Sequence, residues 1–526
     1  GSDFAPANEG DPTLRGLSRS TSIPIPHHAR LVPRPPRAAL RHDTRTRSTR
    51  ADCPWTSVQV RRRLLLLGGP PAPGSRERCR DAYDAGLFTP YGSLGALSAD
   101  SFTTLSHPVF PGVSVRIKKS GGFCDNTVSS YTGYIDIEAR HIFFYFFESR
   151  SDPAADDVIF WTNGGPGCSS SLGLFMELGP CRVLDADGPK FHPQSWNANA
   201  NLFFVDQPIG VGFSYADFGE AVGTTEDGAK DMARFVFVFF EHFSQFKGRP
   251  FHMTGESYGV SWGRYVPVFA AEVYDQNARL LEDGYTPINL TSVMIGNGIT
   301  DFYTQMSSSF DMMCTPASLP PLLSISWTVL QIPRCEARLK KSCVDSYDYT
   351  DCAEANSFCS QYIKQPFYKA DRNPYDISKE CNATNRAENL CYPLTAHIRN
   401  FLSRPDVRKT LGVDAALDGT RSSAAHVAGL LERGVRVLIY VGTYDWSCNW
   451  VGNERWTRGL EWSGREAFAG QALRPWSSAG GTRAGLVREA RGLTFLTVEG
   501  AGHMVPYDKP EESLDMLQRW LAGKSF

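Results

Sequence analysis

One serine in this chain stands in a setting that could make it a nucleophile. The sequence GESYG occupies residues 255–259 and places Ser257 at the centre of a G-x-S-x-G pattern. At a sharp turn from a strand into a helix the backbone crowds the serine, and glycine on either side relieves that crowding because it has no Cβ. Residues 251–254 are typical of a short strand and residues 265–273 of an amphipathic helix. The sequence therefore predicts a nucleophilic serine at a strand-to-helix turn.

Two further residues could activate this serine. A serine hydroxyl needs a base to remove its proton, and here a histidine oriented by a carboxylate is expected. Asp445 follows residues 435–441, which read as a buried strand, and His503 follows the β-rich residues 493–498. Either residue alone could be an ordinary loop residue, but the chain order of serine, acid and histidine is that of hydrolases built on this turn. Because parallel strands end at one edge of a sheet, we expect Ser257, Asp445 and His503 to meet there.

A glycine-rich loop could supply the hydrogen-bond donors that acyl transfer requires. Residues 158–162 read as a strand, and the sequence NGGPGCSS follows at residues 163–170. The developing oxyanion is bound by the amide of the residue after the serine and by an amide from such an earlier loop. The expected pair is Tyr258 and Gly165. A phosphate-binding loop is the alternative, but the Lys-Ser or Lys-Thr ending of a nucleotide-binding loop is absent.

Four sequence blocks together resemble the signature of the serine carboxypeptidase family: WTNGGPGCSS, GESYG, GTYDWSCNW and GAGHMVP. The resemblance covers residues 91–526, which would form the catalytic domain. It implies an α/β-hydrolase whose central, mostly parallel sheet begins near Tyr134 and carries an inserted helical, disulfide-rich cap at about residues 303–399. It also implies an enzyme that releases C-terminal residues from peptides or proteins through an acyl-enzyme, favoured at acidic pH, without a metal or another cofactor.

The same resemblance assigns residues that would bind the substrate. Its terminal carboxylate would be bound by Asn163, Gly164, Glu177 and Glu256, and its pocket would include Cys448 and Met504. Apart from the resemblance, Glu177 reads as a solvated helix residue. Two neighbouring carboxyls that cannot both ionise share a proton, which raises one pKa. A protonated pair would donate a hydrogen bond to the substrate and an ionised pair would repel it, so affinity should fall as pH rises.

The cysteines favour an oxidising compartment over the cytosol, since the sequence contains 13 of them. The family resemblance suggests the disulfide pairs Cys335 with Cys359, Cys343 with Cys352, and Cys381 with Cys391, and a free thiol at Cys448. The sequons at Asn289 and Asn382 agree with glycosylation during secretory passage. We therefore expect a vacuolar, lysosomal or secreted protein.

Composition limits the remaining possibilities. The 526 residues are 42% hydrophobic and can bury a large core, yet no apolar run approaches the roughly 18–20 residues of a membrane span. Residues 1–80 hold fifteen arginines, no lysine and six acidic residues. We predict that residues 1–90 form an arginine- and proline-rich, disordered leader or propeptide remnant. A nucleic-acid or membrane-surface arm is the alternative, but interleaved aromatic residues are almost absent, so no nucleic-acid partner is expected.

The chain also departs from the family pattern. The triplet at residues 260–262 is inserted after the serine turn, and a segment that is longer in the family is reduced to residues 415–426. These departures leave two alternatives to a carboxypeptidase. One is an esterase or acyltransferase of the same fold, and the other is a catalytically impaired, binding or chaperone-like homologue.

Overall fold

A computed structural model describes residues 88–526 except 166, 218–221, 223, 258–264, 315–325, 347, 370 and 414–424. The predicted leader, residues 1–90, lies outside the described residues apart from its last three. The inserted triplet at residues 260–262 and most of the shortened segment at residues 415–426 also lie outside them.

The strands that the structure contains are β1 (Thr103–Ser106), β2 (Val113–Lys119), β3 (Ser130–Ile137), β4 (Arg140–Phe147), β5 (Val158–Thr162), β6 (Cys181–Val183), β7 (Pro189–Phe191), β8 (Asn201–Val205), β9 (Tyr215–Ala216), β10 (Phe251–Glu256), β11 (Leu290–Gly296), β12 (Arg372–Asn373), β13 (Asp376–Glu380), β14 (Arg436–Gly442), β15 (Arg474–Ser477), β16 (Arg483–Ala490) and β17 (Leu493–Val498). Thirteen of them form one sheet, while β6 pairs with β7 and β12 with β13.

The centre of the large sheet is parallel and its two sides are antiparallel. The strands β8, β5, β10, β11, β14 and β17 lie side by side and run in one direction. Every residue of β5, β8, β10 and β17 is buried, as expected for parallel strands that are covered on both faces. The sheet starts at Thr103 rather than near Tyr134, because the antiparallel strands β1 to β3 extend one side. The predicted α/β architecture is confirmed with this earlier start.

The helices that the structure contains are α1 (Thr225–His242), α2 (Tyr265–Glu282), α3 (Phe302–Cys314), α4 (Ser326–Leu339), α5 (Tyr349–Cys359), α6 (Gln365–Tyr368), α7 (Ala383–Asn389), α8 (Thr395–Ser403), α9 (Pro405–Leu411), α10 (Ala425–Glu432), α11 (Trp450–Gly459), α12 (Arg465–Ala469), α13 (Val505–Asp508) and α14 (Pro510–Leu521). Short 3₁₀ segments occur at Leu94–Ala96, Trp196–Ala198 and Ser244–Phe246, and π-helical segments at Gly173–Glu177, Lys340–Asp345 and Ser360–Lys364. No helix of the described residues is long and apolar enough to cross a membrane.

The two faces of the sheet carry separate apolar cores. Successive side chains of a strand point to opposite faces, so Phe144 and Phe160 pack with α1 and α2, whereas Tyr145 and Trp161 pack with α14. Thr224 is the N-cap of helix α1, and its hydroxyl accepts a hydrogen bond from the amide of Asp227 and so caps the first turn. This packing fixes the strand ends from which the site is built.

Between β11 and β14 the chain leaves the sheet and forms the cap, with helices α3 to α10 and the hairpin of β12 and β13. A small apolar core that includes Met306, Leu339 and Phe367 holds this region together and reaches Trp446 near the end of β14. The structure joins Cys335 to Cys359, Cys343 to Cys352 and Cys381 to Cys391, all within the cap. It also joins Cys124 to Cys181, a pair that the sequence did not indicate.

Candidate active site

Ser257 lies directly after β10, at the turn that its sequence pattern predicts. Its φ of 58° is in the left-handed region, which is unusual for a residue other than glycine and is typical of a sharp, strained turn. A Cβ on Gly255 would lie 2.7 Å from the carbonyl oxygen of Thr162 and 2.8 Å from Val266, so that position has room for glycine alone. Ser257 faces a cavity of about 210 Å³. The turn continues into residues 258–264, so Tyr258 lies outside the described residues.

Asp445 and His503 meet at the carboxyl ends of β14 and β17. His503 Nδ1 lies 2.6 Å from Asp445 Oδ2, and both side chains are almost fully buried. Asp445 also accepts hydrogen bonds from Asn297 Nδ2 at 2.8 Å and from the amide of Cys448 at 3.1 Å. Burial lowers the pKa of His503, but the charges of Asp445 and Cys448 and the hydrogen bonds to both together outweigh burial and raise that pKa well above the usual value. The carboxylate therefore orients the ring and favours its protonated form.

The buried thiol of Cys448 lies near both Ser257 and His503. Burial raises its pKa, and this is countered in part by hydrogen-bond contacts with His503 and Ser257. A buried thiol with a raised pKa is a weak nucleophile. Ligand atoms of Asp445, Cys448 and His503 lie within 4.8 Å of one another and could in principle hold a metal ion. Two of these three groups are already hydrogen-bonded to each other, so the cluster is better explained as an acid–histidine pair.

The glycine-rich loop after β5 lies opposite the serine. Asn163, Gly164 and Gly165 all line the cavity, and Gly165 has a φ of 113°, which favours glycine. Asp206 stabilises this loop, because its carboxylate accepts hydrogen bonds from Ser169 Oγ at 2.7 Å and from the amide of Ser170 at 2.8 Å. Burial raises the pKa of Asp206 to about 6.

The side chain of Asn163 is oriented by its partners. Its Oδ1 accepts hydrogen bonds from Trp161 Nε1 at 2.8 Å and from the amide of Gly173 at 2.9 Å. Its Nδ2 must therefore point the other way, and it donates to Glu177 Oε1 at 3.2 Å. Asn163 thus links the glycine-rich loop to the predicted carboxylate-binding glutamates.

Glu177 and Glu256 form a buried carboxyl pair. Glu177 ends the π-helical segment at Gly173–Glu177 and is fully buried rather than solvated, while Glu256 precedes the serine and is also buried. Burial raises the pKa of both, and the negative charge of Glu177 raises that of Glu256 further. No donor of the described residues reaches Glu177 Oε2 or Glu256 Oε2. A proton shared between the two side chains would satisfy both oxygens.

Several residues of the site were missed by sequence reasoning. The cavity is also lined by Cys168, Leu172, Tyr375, Leu390 and Tyr392, in addition to the expected Met504. Burial raises the pKa of Tyr375 to about 12, so this side chain stays neutral. Asn297 could have been found, because it follows β11 just as Asp445 and His503 follow their strands. Tyr375 and Tyr392 carry a weaker signal, their closeness in sequence to the cysteines at 381 and 391.

The sequon residues lie at the surface. Asn289 is exposed just before β11, and Asn382 is exposed at the N-cap of α7, where its side chain accepts a hydrogen bond from the amide of Asn385. Both side chains are therefore accessible, and glycosylation at these two sites stays a prediction.

Comparison with known proteins gives a consistent result. The sequence model of the family described as "Serine carboxypeptidase" matches residues 122–523. Carboxypeptidase Y of Candida albicans is 40% identical over 419 residues, which are 76% of this chain and 74% of that protein. A vacuolar serine-type carboxypeptidase of Saccharomyces cerevisiae is 38% identical over 445 residues, covering 80% and 85% of the two chains. The crystal structure of a prohormone-processing carboxypeptidase of the same yeast superimposes with a TM-score of 0.66 at 24% identity, over 81% of this chain and 96% of that one.

Proposed function

This chain belongs to the serine carboxypeptidase family and is a serine-type carboxypeptidase, and we propose that it acts through an acyl-enzyme on Ser257 and binds its substrates best at acidic pH. The observation that carries the proposal is the buried pair Glu177 and Glu256. Glu256 lines the cavity and lies 3.9 Å from His503, and Glu177 lies behind it, hydrogen-bonded to the cavity residue Asn163. A hydrolase that acted on uncharged esters would gain nothing from two buried carboxyls there.

The proposed chemistry centres on Ser257 and His503, which both line the cavity. Ser257 Oγ attacks the carbonyl carbon of the last peptide bond while His503 Nε2 takes its proton, and His503 then gives that proton to the leaving amine. Water attacks the resulting ester, again through His503, and Ser257 is released with its proton restored. Asp445 orients the ring throughout. The amides of Gly165 and Tyr258 are proposed to bind the oxyanion.

The carboxyl pair determines which peptide bond of the substrate is cut. When Glu177 and Glu256 hold a proton, they can donate a hydrogen bond to the free C-terminal carboxylate, together with Asn163 Nδ2 and the amide of Gly164. When both are ionised, they repel the same carboxylate. Because the bond cut is the one next to the bound carboxylate, one residue is released at a time.

The pH dependence should therefore contain two opposing parts. The raised pKa of His503 means that the neutral base becomes scarcer as pH falls, which lowers kcat. The raised pKa values of Glu177 and Glu256 mean that substrate binding improves as pH falls, which lowers KM. We propose that acidic conditions are favoured through KM and in spite of kcat.

The other side chains that line the cavity suggest which C-terminal residue of the substrate is released. Leu172, Leu390 and Met504 contribute apolar surface to the cavity, with the rings of Tyr375 and Tyr392. We propose that an apolar C-terminal side chain is accepted there. Either a vacuolar or a secreted location suits such an enzyme, since its relatives include a vacuolar carboxypeptidase and its cap carries three disulfides.

A small substrate panel tests the proposal. Purified protein is assayed on one blocked dipeptide as the free acid, the C-terminal amide and the methyl ester, with Ser257→Ala as the control. We expect hydrolysis of the free acid at the highest kcat/KM near pH 5 and no measurable turnover by Ser257→Ala. Equal kcat/KM for the ester and the free acid at every pH would favour an esterase. Failure of a fluorophosphonate probe to label the wild-type protein would favour the catalytically impaired homologue.

A further inference from the structure

The cap hairpin, which comprises β12, β13 and the turn between them, lies against the loop that carries Asp445, the acid of the proposed triad Ser257, His503 and Asp445. The carbonyl of Pro374 accepts hydrogen bonds from the amides of Trp446 at 3.1 Å and Ser447 at 2.9 Å. The amide of Ile377 donates to the carbonyl of Tyr444 at 3.0 Å. Residues on both sides of the triad acid are therefore held by backbone groups of the cap.

The same turn also holds the loop of the histidine. The carbonyl of Tyr375 accepts a hydrogen bond from the amide of His503 at 2.7 Å. One residue earlier, the amide of Gly502 donates to Asp508 Oδ2 at 2.8 Å. The two successive amides that lead into the histidine thus each have a fixed acceptor, one from the cap and one from a charged side chain of α13.

A lysine of the hairpin connects Asp508 to the hairpin itself. Lys379 Nζ lies 3.6 Å from Asp508 Oδ1 and 2.6 Å from Asp376 Oδ2. The carboxylates are 11% and 4% exposed, whereas the lysine side chain is 53% exposed. Water screens such a pair less than one on the open surface, so it can contribute to the position of Asp508.

The approach of the hairpin to the histidine loop is close enough to restrict the sequence. The φ of Gly502 is outside the left-handed region, so its backbone conformation does not require glycine. A Cβ at this position would nevertheless lie 2.5 Å from the carbonyl oxygen of Tyr375 and 3.1 Å from Asp508 Oδ2. Glycine is needed here because the two acceptors lie against the loop.

We propose that Tyr375, Asp508 and Lys379 form a clamp that positions His503 for proton transfer, with the cap hairpin as its frame. The inference rests on the proposed role of His503 as the base. Asp508 and Lys379 are positioning residues, because they act on the histidine through its backbone. A base displaced by about 1 Å loses about 100-fold in rate, so a small movement of this loop should lower kcat strongly.

The disulfide from Cys381 to Cys391 secures the frame. Cys381 follows β13 directly, and its amide donates to the carbonyl of Asp371 at 2.7 Å, just before β12. This hydrogen bond closes the base of the hairpin on the side away from the histidine, and the disulfide ties the same end to Cys391, which follows α7. The turn at residues 374–375, at the opposite end of the hairpin, contacts the loops of both Asp445 and His503.

A graded set of variants tests the clamp. Asp508→Ala removes the acceptor and its ion pair with Lys379, and Asp508→Asn keeps an acceptor oxygen and removes that ion pair. Lys379→Met keeps the acceptor and removes the ion pairs with both Asp508 and Asp376. We expect kcat to fall about 10- to 100-fold in Asp508→Ala and about 3- to 10-fold in the other two, with KM within about twofold of wild type. The rate of fluorophosphonate labelling should fall in the same order, because it depends on the same base.

A matched control separates positioning from stability. Asp231 is also buried and ion-paired, with Arg140 at 3.1 Å, but it lies on α1 outside the cavity. We expect Asp231→Ala to lower the melting temperature and to leave kcat per folded molecule unchanged. Wild-type kcat in folded Asp508→Ala, or the same fall in kcat in Asp231→Ala, would overturn the clamp.

Two further outcomes remain decisive. If Asp508→Ala does not fold, Asp508→Asn and Lys379→Met decide, and wild-type kcat in both would overturn the proposal. Ser257→Ala is measured beside them: activity in that variant would refute the proposed function itself, whereas an inactive Ser257→Ala with an active Asp508→Ala would refute the clamp alone.

Discussion

Two buried carboxyl groups flank His503, and their surroundings differ sharply. Asp445 receives hydrogen bonds from the histidine ring, from Asn297 and from the amide of Cys448. Glu256 lies 3.9 Å from the other ring nitrogen, and no donor of the described residues reaches its Oε2. Both are almost completely buried. We propose that the supply of donors, rather than burial alone, decides whether a carboxyl in this site orients the histidine or carries a proton for the substrate.

The largest effects should come from the serine and the histidine themselves. Ser257→Ala and His503→Ala should each lower kcat by about 10⁴-fold or more, and the double variant should be no slower than either alone, because the residues act as one unit. Steady-state rates on a free-acid dipeptide, with melting temperatures to confirm folding, provide the measurement. Additive losses in the double variant would mean that the two residues act in separate steps.

Replacing each of the two carboxyls by the corresponding amide tests the comparison itself. Asp445→Asn should lower kcat by about 10³- to 10⁴-fold, since an amide can hold the histidine in the wrong tautomer and cannot stabilise its positive charge. Glu256→Gln should lower kcat by about tenfold at most, because an amide still donates a hydrogen bond. Similar losses of kcat in the two variants, measured at one pH and saturating substrate, would show that the roles are not distinct.

The sequence predicted the parts of this site that depend on one strand and the turn after it. Ser257, Asp445 and His503 each follow a strand at the same edge of the sheet, and each of these strands can be located in the sequence from its pattern of apolar residues. The strands β5 and β17 have the predicted bounds, and β10 and β14 differ from theirs by at most two residues. Local signals were sufficient there because each element carries its own pattern.

What the sequence could not show depends on contacts between distant segments. Tyr375 reaches His503 across 128 positions of the chain, and Asn163 reaches Glu177 through a π-helical turn that has no simple periodicity. The segment that ends at Glu177 packs against α8 and α13, which are distant in sequence, so the neighbours of Glu177 in the chain do not reveal its burial. Glu177 was therefore named from family resemblance, and the clamp residues Lys379 and Asp508 were not named at all.

The pH dependence of substrate binding should give a smaller effect that separates the two carboxyl types. KM for a free-acid peptide should rise about tenfold or more between about pH 5 and pH 8, because the hydrogen bond from the Glu177–Glu256 pair is replaced by repulsion. The rise should be much smaller for the same peptide amidated at its C-terminus. Replacing both glutamates with glutamine should flatten the free-acid profile.

A KM that does not depend on pH would contradict this prediction. If KM of the free acid is constant over that range while kcat alone changes, the titrating group is His503. The carboxylate-binding role proposed for Asn163, Gly164, Glu177 and Glu256 would then be wrong, although the serine mechanism would stand.

The smallest expected effect is on folding stability. Burial and the charge of Glu177 raise the pKa of Glu256 well above its ordinary value of 4.5. The folded protein therefore binds this proton more tightly than the unfolded chain does, and the resulting stabilisation is complete below about pH 4.5 and is lost as pH rises through the folded pKa. Glutamine does not titrate, so Glu256→Gln should escape that loss. We expect its melting temperature, relative to wild type, to increase by about 1–3 °C between pH 4.5 and pH 7.5.

Glu461→Gln, at an exposed position, is the control, and its melting temperature should follow that of wild type at both pH values. A constant difference between Glu256→Gln and wild type across this range would mean that Glu256 is ionised throughout, and the contrast with Asp445 would lose its physical basis.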